Sequence, residues 1–271
     1  SPVFREKSGT GEKFTMILAL DIGNTNIVAG CIEDGNICMM VRATTDRLKT
    51  GDEYAMLFHN LLTLHHIDID ALEGTIISCV VPVLSHPIRS AIEKLTGRAP
   101  LMVGAGLKTG LNIVMDNPGQ LGADLVVDAV AASARYELPI IIFDMGTATT
   151  MSLINEKGNY VGGMIIPGAA LTLDALSNRA SQLPHVGIDS PKSLIGTNTV
   201  DCMRSGIVYS NAAMIDGLIQ RVNETLSKPA SVVATGGLAG VIVPYCREKV
   251  VYDKNLLLHG LWLLYCKNKG R

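Results

Sequence analysis

Two segments of the chain align without a gap at an offset of 123 residues, and this internal repeat constrains the fold more than any other feature. The first, ILALDIGNTNIVAGCIEDGNICMM, begins at Ile17, and the second, IIIFDMGTATTMSLINEKGNYVGGMI, begins at Ile140. An Asp-x-Gly triplet ends the first apolar run of each copy, and a second shared glycine follows in a later turn. Coincidence at both turns is hard to attribute to chance, so we interpret the chain as a duplication.

Each copy has the pattern of a three-stranded meander. An apolar run predicts a buried strand, a turn of glycine and hydroxyl residues follows, and a D-G-N or K-G-N sequence marks a hairpin before the third strand. Helical patterns at 52–66 and 124–136 alternate with these strands, which indicates α/β layers. We therefore expect two α/β domains, at 16–130 and 131–271, with residues 1–15 as an expression-derived or disordered leader.

The two Asp-x-Gly turns carry the groups that phosphate and a cation require. Asp21 and Asp144 each end a buried strand, and Gly23 and Gly146 let the backbone approach a ligand closely. Hydroxyl and amide side chains follow at Asn24, Thr25, Asn26, Thr147, Thr149 and Thr150. Successive N–H groups in such turns bind anions, and a carboxylate beside phosphate requires a screening cation. The pair predicts nucleotide phosphate with Mg²⁺, Asp21 being the magnesium candidate; the alternative is two turn-capping aspartates.

Neither common nucleotide-binding loop accounts for these turns. The chain has no GxxxxGK[ST] sequence, and no GxGxxG follows a predicted strand. A third glycine site, Gly236-Gly237, follows the apolar strand predicted at 231–234. A flat ligand such as adenine can lie against the backbone there, and a plain strand-to-helix turn explains the pair equally well.

At these residues the sequence resembles the superfamily of acetate and sugar kinases, heat-shock chaperones and actin, and within it the type III pantothenate kinases. The first phosphate motif of that family, D-x-G-N-T, stands at 21–25, and the second, D-x-G-T-A-T-T, at 144–150. The G-A-D-R substrate motif corresponds to 122–125, and the G-x-N-T-x-x-[SC]-M-x-S-G stretch to 196–206. The similarity extends from about Met16 almost to the C-terminus.

The resemblance implies duplicated actin-like (ribonuclease H-like) α/β domains around a central nucleotide cleft. It implies ATP-dependent phosphorylation of pantothenate to 4′-phosphopantothenate, the first step of coenzyme A synthesis, by a homodimer whose substrate site is completed at the interface. Asp124 would be the general base, and Asp144 would hold a monovalent cation, potassium or ammonium. The implied ATP contacts are Asp21, Ile22, Gly23, Asn24, Thr25, Asn26, Ile27, Val28, Thr147, Gly236 and Gly237. The implied substrate contacts are Met115, Gly122, Ala123, Asp124, Leu125 and Thr199.

Without the family, Asp124 has two interpretations. It follows Gly122 at the start of a helical run, where an aspartate is an N-cap or first-turn residue by default. Asp128 lies four residues further on and shares its helix face. Two carboxylates so placed can bind a cation, or can raise one another's pKa and so help a base to work near neutral pH. Asp128 equally fits a solvated position.

Two positions depart from the family pattern. Leu125 stands where the family usually has Arg, and Met115 stands where it often has Tyr. Arg binds a carboxylate such as that of pantothenate bidentately and Leu cannot, and losing a hydrogen bond to a charged group weakens binding by roughly 10- to 150-fold. Arg179 and Arg204 are candidate replacements by position. The alternatives are a kinase for another small hydroxyl acceptor and a catalytically degenerate, nucleotide-binding regulator.

Charge and hydropathy argue against several classes of partner. A formal net charge of −2, without a basic block, argues against nucleic acid and anionic membranes. The apolar runs are shorter than the roughly 18 residues of a spanning helix. The six cysteines are scattered and form no CxxC pair, which favours a reducing compartment. We therefore expect a cytoplasmic protein that acts on a small molecule.

Overall fold

The structure is a computed structural model that describes residues 15–269, so the leader expected at 1–15 lies, apart from Thr15, outside the described residues. The strands are β1 (Met16–Ile22), β2 (Asn26–Glu33), β3 (Asn36–Thr44), β4 (Leu72–Cys79), β5 (Leu101–Met102), β6 (Asn112–Ile113), β7 (Ile140–Met145), β8 (Ala148–Ile154), β9 (Asn159–Pro167), β10 (Ser231–Thr235) and β11 (Val251–Tyr252). The helices are α1 (Gly51–Leu64), α2 (Pro82–Thr96), α3 (Ala123–Arg135), α4 (Ala169–Arg179), α5 (Thr199–Asn223), α6 (Ala239–Ile242) and α7 (Leu256–Asn268).

The strands form two sheets that share one order. The first sheet runs β3-β2-β1-β4-β5, and the second runs β11-β10-β7-β8-β9-β6. In each, an antiparallel meander is extended by a parallel strand, β4 beside β1 and β10 beside β7. The second sheet from β9 to β11 therefore repeats the first from β3 to β5, and β6 is added in parallel beside β9. The duplication predicted from the sequence is confirmed.

Helices cover both faces of each sheet. One face of the first sheet packs against α1 and α2, and one face of the second packs against α4, α5 and α6. The other two faces meet α3 and α7: Val127 of α3 packs with Ile17 and Leu261 in one buried cluster, and Ala132 packs with Ile140 in another. The two sheets are thereby joined through these central helices.

The boundary expected between residues 130 and 131 lies inside α3, which continues to Arg135. The C-terminal helix α7 returns to pack on β1 and β4 of the first sheet, while β6 joins the second. Gly260 of α7 lies directly against the carbonyl group of Val127, where a side chain would not fit. We therefore describe the molecule as two sheet units, the first unit (β1–β5) and the second unit (β6–β11), with α3 and α7 between them.

The helices predicted at 52–66 and 124–136 are present as α1 and α3. Helix α1 begins at a capping box, in which the Thr50 side chain accepts from the N–H of Glu53 and the Glu53 carboxylate accepts from the N–H of Thr50. Across residues 15–269, no helix combines the length and the apolar character that crossing a membrane requires.

Candidate active site

The aspartates of the two Asp-x-Gly turns occupy equivalent positions at the ends of β1 and β7. Asp21 pairs with Val28 across the hairpin and lies beside Ser78 of β4. Asp144 pairs with Thr150 and lies beside Thr235 of β10. Each aspartate therefore has a hydroxyl residue next to it on the parallel strand. Sequence analysis missed Ser78 and Thr235, although both come at the ends of apolar runs.

Burial makes both aspartates unusually weak acids. It raises the pKa of Asp21 to about 7, with further increases from the charges of Asp124 and Asp144. Ser78 partly offsets this increase, although among the described residues neither its hydroxyl oxygen nor Asp21 Oδ1 has a hydrogen-bond partner. Burial, followed by the charge of Asp124, raises the pKa of Asp144 to about 7 as well. Both carboxyl groups thus change protonation near neutral pH when no cation is nearby.

Asp124 lies in the first turn of α3, where its carboxylate points back along the helix. The backbone N–H of Leu125 donates to Asp124 Oδ1 at 2.8 Å. Gly122 is the N-cap residue, and a Cβ atom there would come within 2.5 Å of the same oxygen, so a larger residue would displace the Asp124 carboxylate. Burial raises the pKa of Asp124, and the N–H groups of Leu125 and of Asp124 itself limit the increase.

Asp128 lies one turn further along α3, and it is buried rather than solvated. Only 1% of the residue is exposed, so the solvated interpretation from the sequence is wrong. Neither carboxylate oxygen has a hydrogen-bond partner within the described part of the chain. Burial raises its pKa well above the usual value, and the charges of Asp144, Asp124, Asp21 and Asp253 add to this, in that order.

We call four residues the aspartate cluster, because the charge of each raises the pKa of another member, or the charge of another member raises its own. They are Asp21, Asp124, Asp128 and Asp144. Among residues 15–269, no group of three His, Cys, Asp or Glu side chains could hold a metal ion by itself. Mg²⁺ at phosphate-transfer sites is bound by one or two carboxylates together with phosphate oxygens and water. Oδ1 of Asp21 is buried and has no hydrogen-bond partner in the part of the chain that the structure describes, so it fits a magnesium ion that is also bound by nucleotide phosphate.

The two Asp-x-Gly loops touch each other at their tips. The hydroxyl oxygens of Thr25 and Thr147 are 2.8 Å apart and form a hydrogen bond between the two units. Both residues are exposed, as is Asn24. By contrast, the side chains of Ile22 and Ile27 are fully buried, so these two predicted ATP contacts are available only through their backbone.

The Gly236-Gly237 pair has a structural role, because both glycines are closely packed against other parts of the protein. Gly236 has a φ of +93°, and a Cβ atom there would come within 2.5 Å of Asp144 Oδ1 and 2.6 Å of the Met145 backbone. At Gly237, a Cβ atom would lie 3.3 Å from Nη1 of Arg42, which reaches over from β3 of the first unit. The pair therefore lets the β10–α6 turn pack against both the aspartate cluster and the opposite unit.

The predicted substrate residues lie in separate surroundings. Thr199 begins α5 and lines a largely apolar cavity of about 360 Å³ between α4 and α5, together with Leu176 and Met203. Met115 is half-buried against the cluster formed by α3 and β7. Leu125 is half-buried beside Asp124.

The two candidate replacement arginines have different surroundings. Arg204 is paired with Asp189 at 3.2 Å and donates to the Gly187 carbonyl group, whereas Arg179 is exposed at the end of α4. Arg204 would have to leave its partner in order to bind a substrate carboxylate.

Comparison with protein families agrees with the geometry. The family model for type III pantothenate kinase matches residues 17–221. A type III pantothenate kinase from Syntrophotalea carbinolica is 43% identical over 255 residues, which cover 94% of this chain and 100% of the relative. Another, from Halalkalibacterium halodurans, is 44% identical over 253 residues, which cover 93% of this chain and 100% of the relative.

Solved structures share the two-unit fold at low identity. An activator of 2-hydroxyisocaproyl-CoA dehydratase from Clostridium difficile, solved with bound ADPNP, has a TM-score of 0.57 at 12% identity, covering 94% of this chain and 95% of that one. A conserved putative Baf family transcriptional activator from Campylobacter jejuni has a TM-score of 0.56 at 18% identity, covering 94% and 100%. The duplicated actin-like α/β fold expected from the resemblance is confirmed.

Proposed function

We propose that this chain, which belongs to the type III pantothenate kinase family, transfers the terminal phosphoryl group of ATP to the primary hydroxyl of pantothenate. The observation that carries the proposal is the position of Asp124, whose charge raises the pKa values of both Asp-x-Gly aspartates. A base at this point lies next to both loops that we expect to bind phosphate. Phosphoryl transfer requires little beyond such positioning and charge neutralisation.

In this mechanism Asp124 is the general base. It accepts the hydroxyl proton of pantothenate while the oxygen forms its bond to the γ-phosphorus and the bond to the ADP oxygen breaks. Burial raises the pKa of Asp124, which brings the carboxylate closer to the value suited to proton transfer at neutral pH. The N–H of Leu125 holds one carboxylate oxygen and leaves the other for substrate.

The aspartate cluster requires positive charge when nucleotide phosphate is bound. We assign Mg²⁺ to Asp21 and a monovalent cation, potassium or ammonium, to Asp144, and these cations supply charge neutralisation at the phosphates. Support comes from the raised pKa values, because an adjacent cation favours the charged form that burial disfavours.

The assay is ADP release measured across several hydroxyl acceptors, with and without potassium. Pantothenate should give the highest kcat/KM, and potassium should stimulate turnover. Replacing Asp124 by Asn removes the base but keeps the shape, so kcat should fall by about 10²- to 10⁴-fold, while ADP binding is retained.

Three outcomes would count against this assignment. The absence of pantothenate-dependent turnover would rule out the substrate, and a different preferred acceptor would indicate that Leu125 has redirected specificity. ATP binding without turnover of any acceptor that depends on Asp124 would favour the regulatory alternative.

We also propose that the active species is a homodimer formed through α4, α5 and the loop before α5. Large apolar side chains are exposed along this face, including Leu171 (52%) of α4 and Leu194 (59%) and Ile195 (76%) of the loop before α5. Replacing Ile195 by Glu should dissociate the dimer in sedimentation analysis, because a charge would then lie in an apolar interface. The control is Leu64→Glu on α1, where the wild-type residue is similarly exposed (71%). Identical sedimentation of both variants and the wild type would exclude this face.

We place the activity in the cytoplasm. All six cysteines are free, and Cys38, Cys202 and Cys266 are exposed as thiols. Unpaired thiols are typical of a reducing compartment, which is also where ATP is available to a kinase. Fractionation of cells that carry a tagged chain tests this assignment.

A further inference from the structure

The aspartate cluster places negative charge beside the proposed ATP site, and the sequence motifs supply no positive side chain to balance it. Four carboxyl groups lie near the place where we propose that ATP binds, and ATP is itself an anion. Neither Asp-x-Gly loop contains a lysine or an arginine. Two arginines that no motif includes, Arg42 and Arg47, nevertheless reach the site from β3 and the segment after it.

Arg42 extends from the first unit to the second. Its strand position is opposite Val28 on β2, next to the first Asp-x-Gly hairpin. Its Nη1 and Nη2 atoms lie 3.3 Å and 3.8 Å from the point that a Cβ atom of Gly237 would occupy. The guanidinium group therefore covers the glycine turn that the family resemblance includes among the ATP contacts.

Arg47 is directed at the other end of the site. Its Nη2 atom donates to Asn24 Oδ1 at 3.0 Å, at the tip of the first loop. The segment that carries it is firmly held, since Thr45 bonds to Gly23 O at 2.7 Å and Tyr54 OH bonds to the Asp46 carbonyl at 2.6 Å. An exposed cation on a braced segment, aimed at a phosphate loop, is well placed to receive an anion.

Both arginines are available for a ligand. The ion pairs of the described residues include neither of them. Both are exposed. Guanidinium groups bind phosphate bidentately and stack on aromatic rings, so one residue type suits both ends of a nucleotide.

We infer that Arg42 and Arg47 bind the nucleotide from the first unit, Arg47 through its terminal phosphates and Arg42 through its adenine ring. This inference rests on the proposed function. A base that enters at Gly237 displaces the Arg42 guanidinium, which then stacks on it and closes the site. Arg47 remains near Asn24 and donates to the β- and γ-phosphate oxygens.

The test measures the affinity of AMP, ADP and a non-hydrolysable ATP analogue, with Mg²⁺, by displacement of a fluorescent ADP analogue. Replacing Arg47 by Gln should weaken ADP and the triphosphate by roughly 10- to 150-fold, the range for a lost bond to a charged group, and AMP by less than twofold. Replacing Arg42 by Gln should weaken all three by a similar factor of roughly 2- to 30-fold.

The matched control is Arg89→Gln. Arg89 is an exposed arginine of the same unit, on α2, and it is paired with Glu93 at 2.9 Å. It should leave the affinity of every nucleotide unchanged. Thermal melting of all three variants should match the wild type, because none of these side chains is buried.

A second comparison separates phosphate binding by Arg47 from simple support of Asn24. In an Asn24→Ala background, Arg47→Gln should still weaken ADP at least tenfold; loss of that effect would mean that Arg47 acts only through Asn24 and would overturn its assignment. Wild-type affinity in both arginine variants would overturn the whole inference and leave the proposed function intact. A wild-type protein that binds none of the three nucleotides would overturn both.

Discussion

The two Asp-x-Gly loops share their electrostatics and differ in what holds them. Burial raises the pKa of Asp21 and of Asp144 to about 7, and each has a hydroxyl residue beside it. The first loop, residues 23–25, is held by side chains, since Thr45 donates to Gly23 O at 2.7 Å. The second loop, residues 146–147, is held by close packing of its backbone against Gly168. Duplication has kept the chemistry and changed the support.

The loops also differ in length, which the gap-free alignment conceals. Asp21 pairs with Val28, seven positions on, whereas Asp144 pairs with Thr150, six positions on. The first loop and β2 are each one residue longer than the second loop and β8. Both differences are compensated at the following turn, which has two residues in the first unit, 34–35, and four in the second, 155–158. We therefore expect the longer first loop, which is held by side chains, to move when a ligand binds. We expect the shorter second loop, which is packed on Gly168, to stay in place.

The largest expected effect comes from breaking the support of the second loop. In Gly168→Ala, the new methyl group would overlap the carbonyl oxygen of Thr147 and approach that of Gly146 to 2.8 Å. Backbone atoms cannot move aside as a flexible side chain can, so we expect a loss of about 3 kcal/mol in the free energy of unfolding. Urea denaturation measures this loss, and nucleotide affinity should fall with it.

The control for this substitution is Gly104→Ala. Among residues 15–269, no atom other than those of its chain neighbours lies within 4 Å of a Cβ at Gly104, and its φ is not in the left-handed region. Its stability should match the wild type or rise slightly. Equal stability of the Gly168 and Gly104 variants would show that the second loop does not depend on close backbone packing.

The sequence pattern predicts the charged residues of the two loops better than it predicts the residues that pack around them. Asp21 and Asp144 could be predicted because an aspartate that ends an apolar strand is visible within one short segment. Ser78 and Thr235 could not, since they reach the aspartates across parallel strands that are distant in the chain. Burial of Asp128 was equally hidden, because helical spacing identifies a face and not what packs on it. Arg42 reaches Gly237 only because the two units fold towards each other.

The second prediction concerns the property that the two loops share. Because the pKa values of Asp21 and Asp144 are raised to about 7, the folded protein binds more protons than the unfolded chain between about pH 4 and pH 7. The ligand-free protein should therefore lose stability as pH rises through this range, by up to about 1.4 kcal/mol per pH unit for each aspartate.

Urea denaturation at pH 5, 6 and 7 checks the sign and the symmetry of this effect. Asp21→Asn and Asp144→Asn should each make the slope shallower by a similar amount. Asp116→Asn, at an exposed position outside the cluster, should leave it unchanged. Stability that rises with pH over this range would contradict the environment that we describe for both aspartates.

A smaller effect is expected from the support of the first loop. In Thr45→Val, the carbonyl oxygen of Gly23 loses its 2.7 Å hydrogen bond, so stability should fall by about 1 kcal/mol. Nucleotide binding should weaken as well, because the loop then moves more freely. Thr44→Val is the matched control, since Thr44 is the exposed last residue of β3, directly before Thr45. A Thr45 effect as large as that of Gly168→Ala would mean that the two loops are held equally firmly.

The smallest effect concerns the point where the loops meet. The Thr25 and Thr147 hydroxyl groups are 2.8 Å apart and exposed, so water competes for both, and a double-mutant cycle of Thr25→Ala and Thr147→Ala should give a coupling below about 1 kcal/mol. Phosphate inserted between the loops must replace this bond, so the coupling should vanish when stability is measured with saturating ADP and Mg²⁺. A coupling of unchanged size in the complex would show that the loops stay joined and that phosphate binds beside them. In that case the first loop would not have to move when nucleotide binds.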